Sequence, residues 1–545
     1  MSEQLNILVV IPARGNSKGI PRKNLRSLHG KPLIWYSIRN CLASKWNPKV
    51  YLSSDDEEIK TIAKKCGAKI INRSSNLAED NTTLDPVIYD AYEQAKKIEN
   101  QDFDLIVTVQ PTSPLLKTRS LDEAIEHIID NSDIDTLISA TEETHLTWSQ
   151  KDDRYIPNYE KRVNRQELTP QFKETGGFLI CRNSVISETG RIGSGVGLFA
   201  LKSPESIDID TFEDWNLCNY YLSRKKILFV VSAYDEIGMG HVYRTLNIAN
   251  EILDHEVLFL FDNKSQLGRQ LAKNYHYPNF IQSSDNLLDD IKSLHPDIVI
   301  NDILDTSESY MNGLKEIVDV SINFEDLGPG SFLSNVTINA MYQDHEKDKD
   351  HRYFGYEYSV LRDEFLLSKT KSVAEKVQRI LISFGGTDPN DYTNKVLACI
   401  YDFCAKQNIK IDVVLGLGYR HKLNPSFENI NVHHKISNIS EIMLNSDLAF
   451  SSAGRTTIEL ASLGVPTIVL CQNQRETTHL FSSEENGFNN VGMGSELNNE
   501  ELFNVFLQAL EYDWRKQSNR KMLSLDLSKG KSRVLELIYR SINTK

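Results

Sequence analysis

Two apolar runs in this chain end in glycine-rich turns, and between them they set most of what it can fold into. Leu5–Pro12 (LNILVVIP) leads into Ala13–Gly19, and Lys226–Ala233 (KILFVVSA) leads to Gly238-Met239-Gly240. Such runs suit strands buried on both faces, as in parallel sheets. Parallel strands need crossovers, and helical patterns follow both runs. Pro32–Leu42 and Asp55–Cys66 follow the first; Leu246, Ile248, Ala249, Ile252 and Leu253 form an apolar face after the second. Runs of the same type recur at Lys49–Ser53, Leu105–Gln110 and Thr136–Ala140, then at Asp297–Asn301, Arg379–Phe384, Lys410–Leu415, Asp447–Ser451 and Pro466–Leu470. Strands alternating with helices predict an α/β protein. Two separate beginnings predict two units, divided at the basic stretch Ser223-Arg224-Lys225-Lys226 into domains 1–223 and 224–545. A less regular stretch from 343 to 378 predicts that the second unit has two lobes, approximately 224–370 and 371–545, with a cleft between them.

Composition narrows the function. At 545 residues the chain exceeds one ordinary core. Its formal charge of -14 repels nucleic acid and anionic membranes, so any phosphate binding must come from local basic clusters. The seven cysteines form no C-x-x-C pair, which argues against a disulfide framework or a cysteine-rich zinc site and for a reducing compartment. The N-terminal residues carry no signal-peptide pattern, and no apolar run reaches membrane-spanning length. The expectation is a cytoplasmic protein with neither nucleic-acid nor membrane partners.

The loop Ile11–Asn24 (IPARGNSKGIPRKN) gathers Arg14, Lys18, Arg22 and Lys23 around Gly15 and Gly19. Glycines admit backbone N–H groups to phosphate oxygens, and the cations offset a triphosphate's charge. A solvated basic loop is the plainer reading. The loop is not a Walker A motif; the sole Gly-Lys-Ser, at 530–532, lacks the upstream glycine. Downstream, Asp208 and Asp210 stand at i and i+2. On a strand they would face the same way and could share one hard cation.

The loop resembles the signature of CMP-sialic acid synthetases and their relatives that activate other nonulosonic acids. Arg73 with Leu77–Thr83, Gln110–Pro114, Asn164–Gln166 with Glu174–Gly177, and Ile207–Trp215 resemble further motifs of that family, in order, over roughly the first 220 residues. Gly19–Asn24 (GIPRKN) favours this branch over the KDO-cytidylyltransferases, and Thr175 departs from the usual Asn. The resemblance implies attack of a sugar hydroxyl on the α-phosphate of CTP, with release of pyrophosphate. Lys18, the catalytic Lys23 and a magnesium ion on Asp208 and Asp210 would hold the phosphates. Arg14, Ser17, Asn24, Arg73 and Thr82 or Thr83 would contact the nucleotide, with Gln110 and Arg165 also on the substrates. A homo-oligomer through this domain is compatible with the family.

In the second part His241 follows Gly238-Met239-Gly240 and opens a helical pattern, where open α/β sheets place ligands. A structural histidine is the plainer reading. Ser451–Thr457 (SSAGRTT) follows a strand and opens another helix, a ready diphosphate site, although the threonines could serve as simple caps. These segments, with Gly355-Tyr356, Leu361–Phe365, Ile382–Pro389 and Asn473-Gln474, resemble the UDP-sugar hydrolases of pseudaminic acid biosynthesis, relatives of the UDP-GlcNAc transferase of peptidoglycan assembly. The resemblance implies a two-lobed type B glycosyltransferase fold beside the Rossmann-like nucleotidyltransferase domain. His241 would act on or orient the attacking water, with Asn473 nearby and no metal. Gly240, Arg244 and Gln474 would contact the UDP-sugar, Gly454, Thr456 and Thr457 the diphosphate, and Glu459 the ribose. Arg455 departs from the usual Gly or Ser. Both activities would flank one synthase step, so association with that synthase is compatible with the fusion. The rivals are a glycosyltransferase or a non-catalytic nucleotide-sugar-binding module in the second part.

Overall fold

The strand Ile7–Pro12 lies at the centre of a seven-stranded sheet, as its apolar side chains require: Leu8 to Ile11 are fully buried. A computed structural model describes residues 5–543 except 18, 80, 235–236, 343–350, 425, 429, 435 and 437. The chain divides into two compact units, Met1–Arg224 and Lys225–Lys545. In the first, the strand order is Val196–Ala200, Thr136–Glu142, Phe172–Arg182, Leu105–Thr108, Ile7–Pro12, Lys49–Ser54 and Lys69–Asn72. Every pairing is parallel except those of Phe172–Arg182 with its two neighbours. The chain leaves Ile7–Pro12 to one side and later returns on the other. That reversal opens a crevice at the strand's carboxyl end, where the basic loop begins.

The second unit contains two wholly parallel sheets. The first runs Asn279–Ile281, Glu256–Phe261, Lys226–Val231, Ile298–Asp302, Val320–Phe324, Val336–Asn339 and Arg352–Phe354. The second runs Asn431–His434, Lys410–Leu415, Arg379–Ser383, Leu448–Ser451, Thr467–Cys471 and Phe488–Met493. In both, the first strand in sequence is third in space, which is the doubly wound order. Each sheet carries its own apolar core, so these are the two lobes of a type B glycosyltransferase-like fold. One boundary is corrected. The helix Gly530–Asn543, expected in the second lobe, returns to the first, because its apolar face places Val534 and Ile538 in the first lobe's core. Gly530 makes the return at close quarters: a Cβ there would lie 2.0 Å from the Ser359 carbonyl oxygen. Among the described residues no helix is long and apolar enough to cross a membrane.

Candidate functional sites

In the first unit the basic loop is fastened to the segment that carries the aspartates. Lys23 Nζ donates to the Ile209 carbonyl at 2.6 Å and stands 3.5 Å from Asp210 Oδ1. A Cβ on Gly19 would come 2.6 Å from the Asp210 carbonyl oxygen, so glycine is what lets the loop lie there. The aspartates are not on a strand, contrary to expectation. The Ile209 N–H is taken by Thr112 O at 2.8 Å, while Asp214 Oδ2 accepts the N–H groups of Asp210 (3.1 Å) and Thr211 (2.8 Å) in a capping box for helix Phe212–Ser223. The alternation survives without the ladder: Ile209 is buried between a half-buried Asp208 and an exposed Asp210.

Asp208 Oδ1 is buried with no hydrogen-bond partner among the described residues, and burial pushes its carboxyl above the usual range. Such an oxygen calls for a proton or a cation. With Asp210 it makes a two-carboxylate donor set, which suits magnesium when phosphates and water complete the shell. Gly176 leaves room for Asp208, whose Oδ1 would lie 2.7 Å from a Cβ there. The Gly176 carbonyl also accepts the Gln110 N–H at 3.3 Å, so Lys23, Asp208, Asp210 and Gln110 converge.

Other expected nucleotide contacts are engaged elsewhere. Asn24 is buried and donates to the Arg14 carbonyl at 2.9 Å, bracing the loop from inside. Arg73 is buried against Ser53, with Nη2 2.8 Å from the carbonyl oxygen, and burial pulls its guanidinium down to about 10. Thr82 donates to Asn76 O at 3.1 Å, and Thr83 is the N-cap residue of helix Leu84–Glu99. Thr175 bonds Ser139 Oγ at 2.8 Å, a use within the sheet for the residue that departs from the family pattern. Arg14 and Ser17 lie half-buried in the loop, and Arg165 is exposed on the turn Arg165–Glu167. Lys18 lies outside the described residues. Sequence reasoning missed Asp55, whose Oδ1 accepts the Gly15 N–H at 3.1 Å.

In the second unit a cavity of about 660 Å³ lies between the lobes. His241 lines it from the first turn of helix Gly240–Ala249, and Asp302 ends the neighbouring strand across the switch point. His241 Nδ1 bonds Asp302 Oδ1, which leaves Nε2 as the ring edge for the cavity. Arg244, one turn on, donates to Asp302 Oδ2 (2.8 Å), Asp302 Oδ1 (2.6 Å) and Glu325 Oε1 (2.7 Å). Burial alone would raise the Asp302 carboxyl, but Arg244 and His241 override it and hold it at about 2. Asp302 is therefore a permanent carboxylate that orients the imidazole. Arg244, expected on the substrate, lines the cavity with its guanidinium held by these two acids.

Across the cleft, Gly454 and Thr456 line the cavity at the start of helix Thr456–Leu463. Thr457 does not: it is fully buried and its hydroxyl bonds Gly454 O at 2.7 Å. Glu459 lines the cavity with Oε1 held by Arg362 at 3.0 Å. Arg455 passes beneath Gly240 and donates to Val360 O at 2.6 Å, so the residue that departs from the family pattern ties the lobes together. Asn473 and Gln474 are exposed on the cavity wall, and Asn473 Oδ1 caps the turn at Glu476 N (3.0 Å). Sequence reasoning missed Asp302, Glu325, Arg475, Glu476 and His479. Asp302 alone left a trace, as the polar end of an apolar strand.

Comparison with known proteins adds the following. The family model for cytidylyltransferases matches residues 8–175, and that for the glycosyltransferase family 28 C-terminal domain matches 380–523. An uncharacterised protein of Methanocaldococcus jannaschii is 32% identical over 46% of this chain, and the match spans only 56% of that protein. A Campylobacter jejuni pseudaminic acid cytidylyltransferase is 35% identical, covering 41% of this chain and 97% of the relative. A Helicobacter pylori protein named as pseudaminic acid cytidylyltransferase and UDP-2,4-diacetamido-2,4,6-trideoxy-beta-L-altropyranose hydrolase is 24% identical over 86% of this chain and 88% of its own.

Proposed function

The chain belongs to the cytidylyltransferase family, and from that premise we propose that it is a bifunctional enzyme of nonulosonic acid biosynthesis. Its first unit couples a nonulosonic acid to CMP at the expense of CTP, and its second hydrolyses a UDP-linked 2,4-diacetamido-trideoxyhexose to free sugar and UDP. The observation that carries the second activity is the His241–Asp302 pair facing a cleft whose other wall is a helix N-terminus.

In the first unit Lys23 and the backbone of the basic loop hold the triphosphate, and Gln110 contacts the sugar. Asp208 and Asp210 would hold magnesium, which supplies charge neutralisation at the phosphates when bound. The unit's own work is to position the sugar hydroxyl against the α-phosphate. In the second unit Asp302 keeps the Nδ1 proton in place, so Nε2 accepts a proton from water as the water attacks the anomeric carbon. UDP departs toward Gly454 and Thr456, where N–H groups and the helix dipole favour its charge. Glu459 accepts from the ribose.

The test is mass spectrometry of two reactions on the whole chain. CTP with pseudaminic or legionaminic acid should give the CMP-sugar and pyrophosphate. The UDP-sugar alone should give UDP and free hexose. UDP release only when an acceptor is added would make the second unit a glycosyltransferase, and binding without release would make it a non-catalytic module.

A further inference from the structure

Glu476 stands in the cavity wall beside the loop that receives the diphosphate, an unexpected place for an acid. Both N–H groups that reach its carboxyl go to one oxygen, Gln472 N at 2.8 Å and Ala453 N at 3.2 Å, each to Oε2, and the Ser452 hydroxyl also hydrogen-bonds the carboxyl. Oε1 is turned toward Gly454, 3.8 Å from where a Cβ would stand. Among the described residues no cation pairs with the carboxyl. The nearest arginines are committed elsewhere, Arg475 to Asp305 and Tyr342, Arg455 to Val360. An ionised carboxylate here would repel the phosphates that the loop is built to receive.

We propose that Glu476 works as an uncharged carboxyl, with Oε2 accepting from the two backbone donors and Oε1–H donating a hydrogen bond to the diphosphate. This rests on reading the cleft as a UDP-sugar site and names a contact within it. The proton stays on Glu476 through the reaction. The departing β-phosphate oxygen takes the electron pair of the broken glycosidic bond, and the proton from water goes to His241. Burial pushes the Glu476 carboxyl up to about 7, so near neutrality the proton is available without a partner base. Cys471 from the strand before it and Tyr392 from helix Tyr392–Lys406 interact with its charge, while Arg475, His479, Arg455, Arg244, Arg362, Glu325, Glu459 and His241 line the same cavity.

The consequence is proton-linked nucleotide binding, measured on the whole chain with UDP alone. Calorimetry in buffers of different ionisation enthalpy should show net proton uptake on UDP binding between pH 7 and 8. UDP affinity should fall on the order of tenfold or more between pH 7 and 9, where the terminal phosphate of UDP is already ionised. Glu476→Gln keeps a donor and cannot ionise, so its affinity should stay within about threefold over that range; the difference between the proteins removes the contribution of His241. Glu476→Ala should bind more weakly at pH 7 and melt at a lower temperature, because the Gln472 and Ala453 N–H groups lose an acceptor that Glu476→Gln keeps. A wild-type affinity that does not vary with pH, or a Glu476→Gln protein that loses affinity in parallel, overturns the proposal alone. Failure of UDP to bind at any pH overturns the UDP-sugar reading together with it.

Discussion

Replacing Asp302 by Asn changes one atom and should disable the second active site. Asp302 accepts through both oxygens: Oδ1 takes His241 Nδ1 and Arg244 Nη2, and Oδ2 takes Arg244 Nε. An amide has one accepting oxygen and one NH2 group. In one orientation the NH2 meets Arg244 Nε, donor against donor. In the other it meets His241, whose ring then carries its proton on Nε2 and cannot act as a base. Hydrolysis should fall by ~10²- to 10⁴-fold, the range for losing a positioned base or its tautomer. Stability should fall too. Arg244 and His241 hold the carboxyl well below its ordinary 3.8, a stabilisation on the order of 2 kcal/mol. Because the folded value is depressed, that contribution is complete above pH 3.8 in the wild type and disappears as pH falls toward 2. Asp302→Asn should lack it at neutral pH. The assay is kcat and KM for the UDP-sugar, UDP affinity by calorimetry, and urea unfolding. UDP affinity should hold within about threefold, since the nucleotide loop lies on the other lobe. A variant that hydrolyses within threefold of wild type would refute the argument. So would one whose UDP affinity falls as far as its rate, because Asp302 would then hold up the fold and not the base.

The other predictions concern the separateness of the two chemistries. His241→Ala should lower UDP-sugar hydrolysis a hundredfold or more and leave CMP-sugar formation within twofold; a parallel loss in both assays would mean that the sites are coupled. Asp208→Asn and Asp210→Asn should each reduce CMP-sugar formation more than tenfold at saturating magnesium with little change in melting temperature, and wild-type rates in both would remove the metal assignment. EDTA should stop CMP-sugar formation and spare UDP release, a pattern that metal-restorable loss of hydrolysis would contradict. A chain ending at Arg224 should fold and retain CMP-sugar formation, read by circular dichroism and pyrophosphate release.

Strands were legible wherever burial on both faces removed polar residues, as in Ile7–Pro12, Lys410–Leu415 and Leu448–Ser451. The Gly-rich turns were legible because the chain passes close to other groups there, Gly19 to the Asp210 carbonyl and Gly240 to Arg455. What escaped depended on distant partners. Asn24 and Arg73 carry nucleotide-binding side chains in a suitable motif, yet each meets a backbone carbonyl that local sequence does not reveal. Asp302 lies 61 residues from His241, and only the pairing of its strand with Lys226–Val231, the strand before the His241 helix, brings them together. Glu476 reads as a surface acid in an exposed polar stretch, and only the fold turns it into the cavity wall and half-buries it. The return of Gly530–Asn543 to the first lobe was hidden because an amphipathic helix does not state which core it serves.

That return has a mechanical consequence. The second lobe begins and ends on the first, so topologically it is an insertion within the first lobe. Its two connections run side by side where Gly530 packs against the Ser359 backbone, and Arg533 Nη1 bonds Glu357 O at 3.0 Å across them. One connection would leave the lobes free to swivel. Two connections clamped together restrict them to bending about a single line, so every opening of the cleft should bring His241 back onto the same point of the opposite wall.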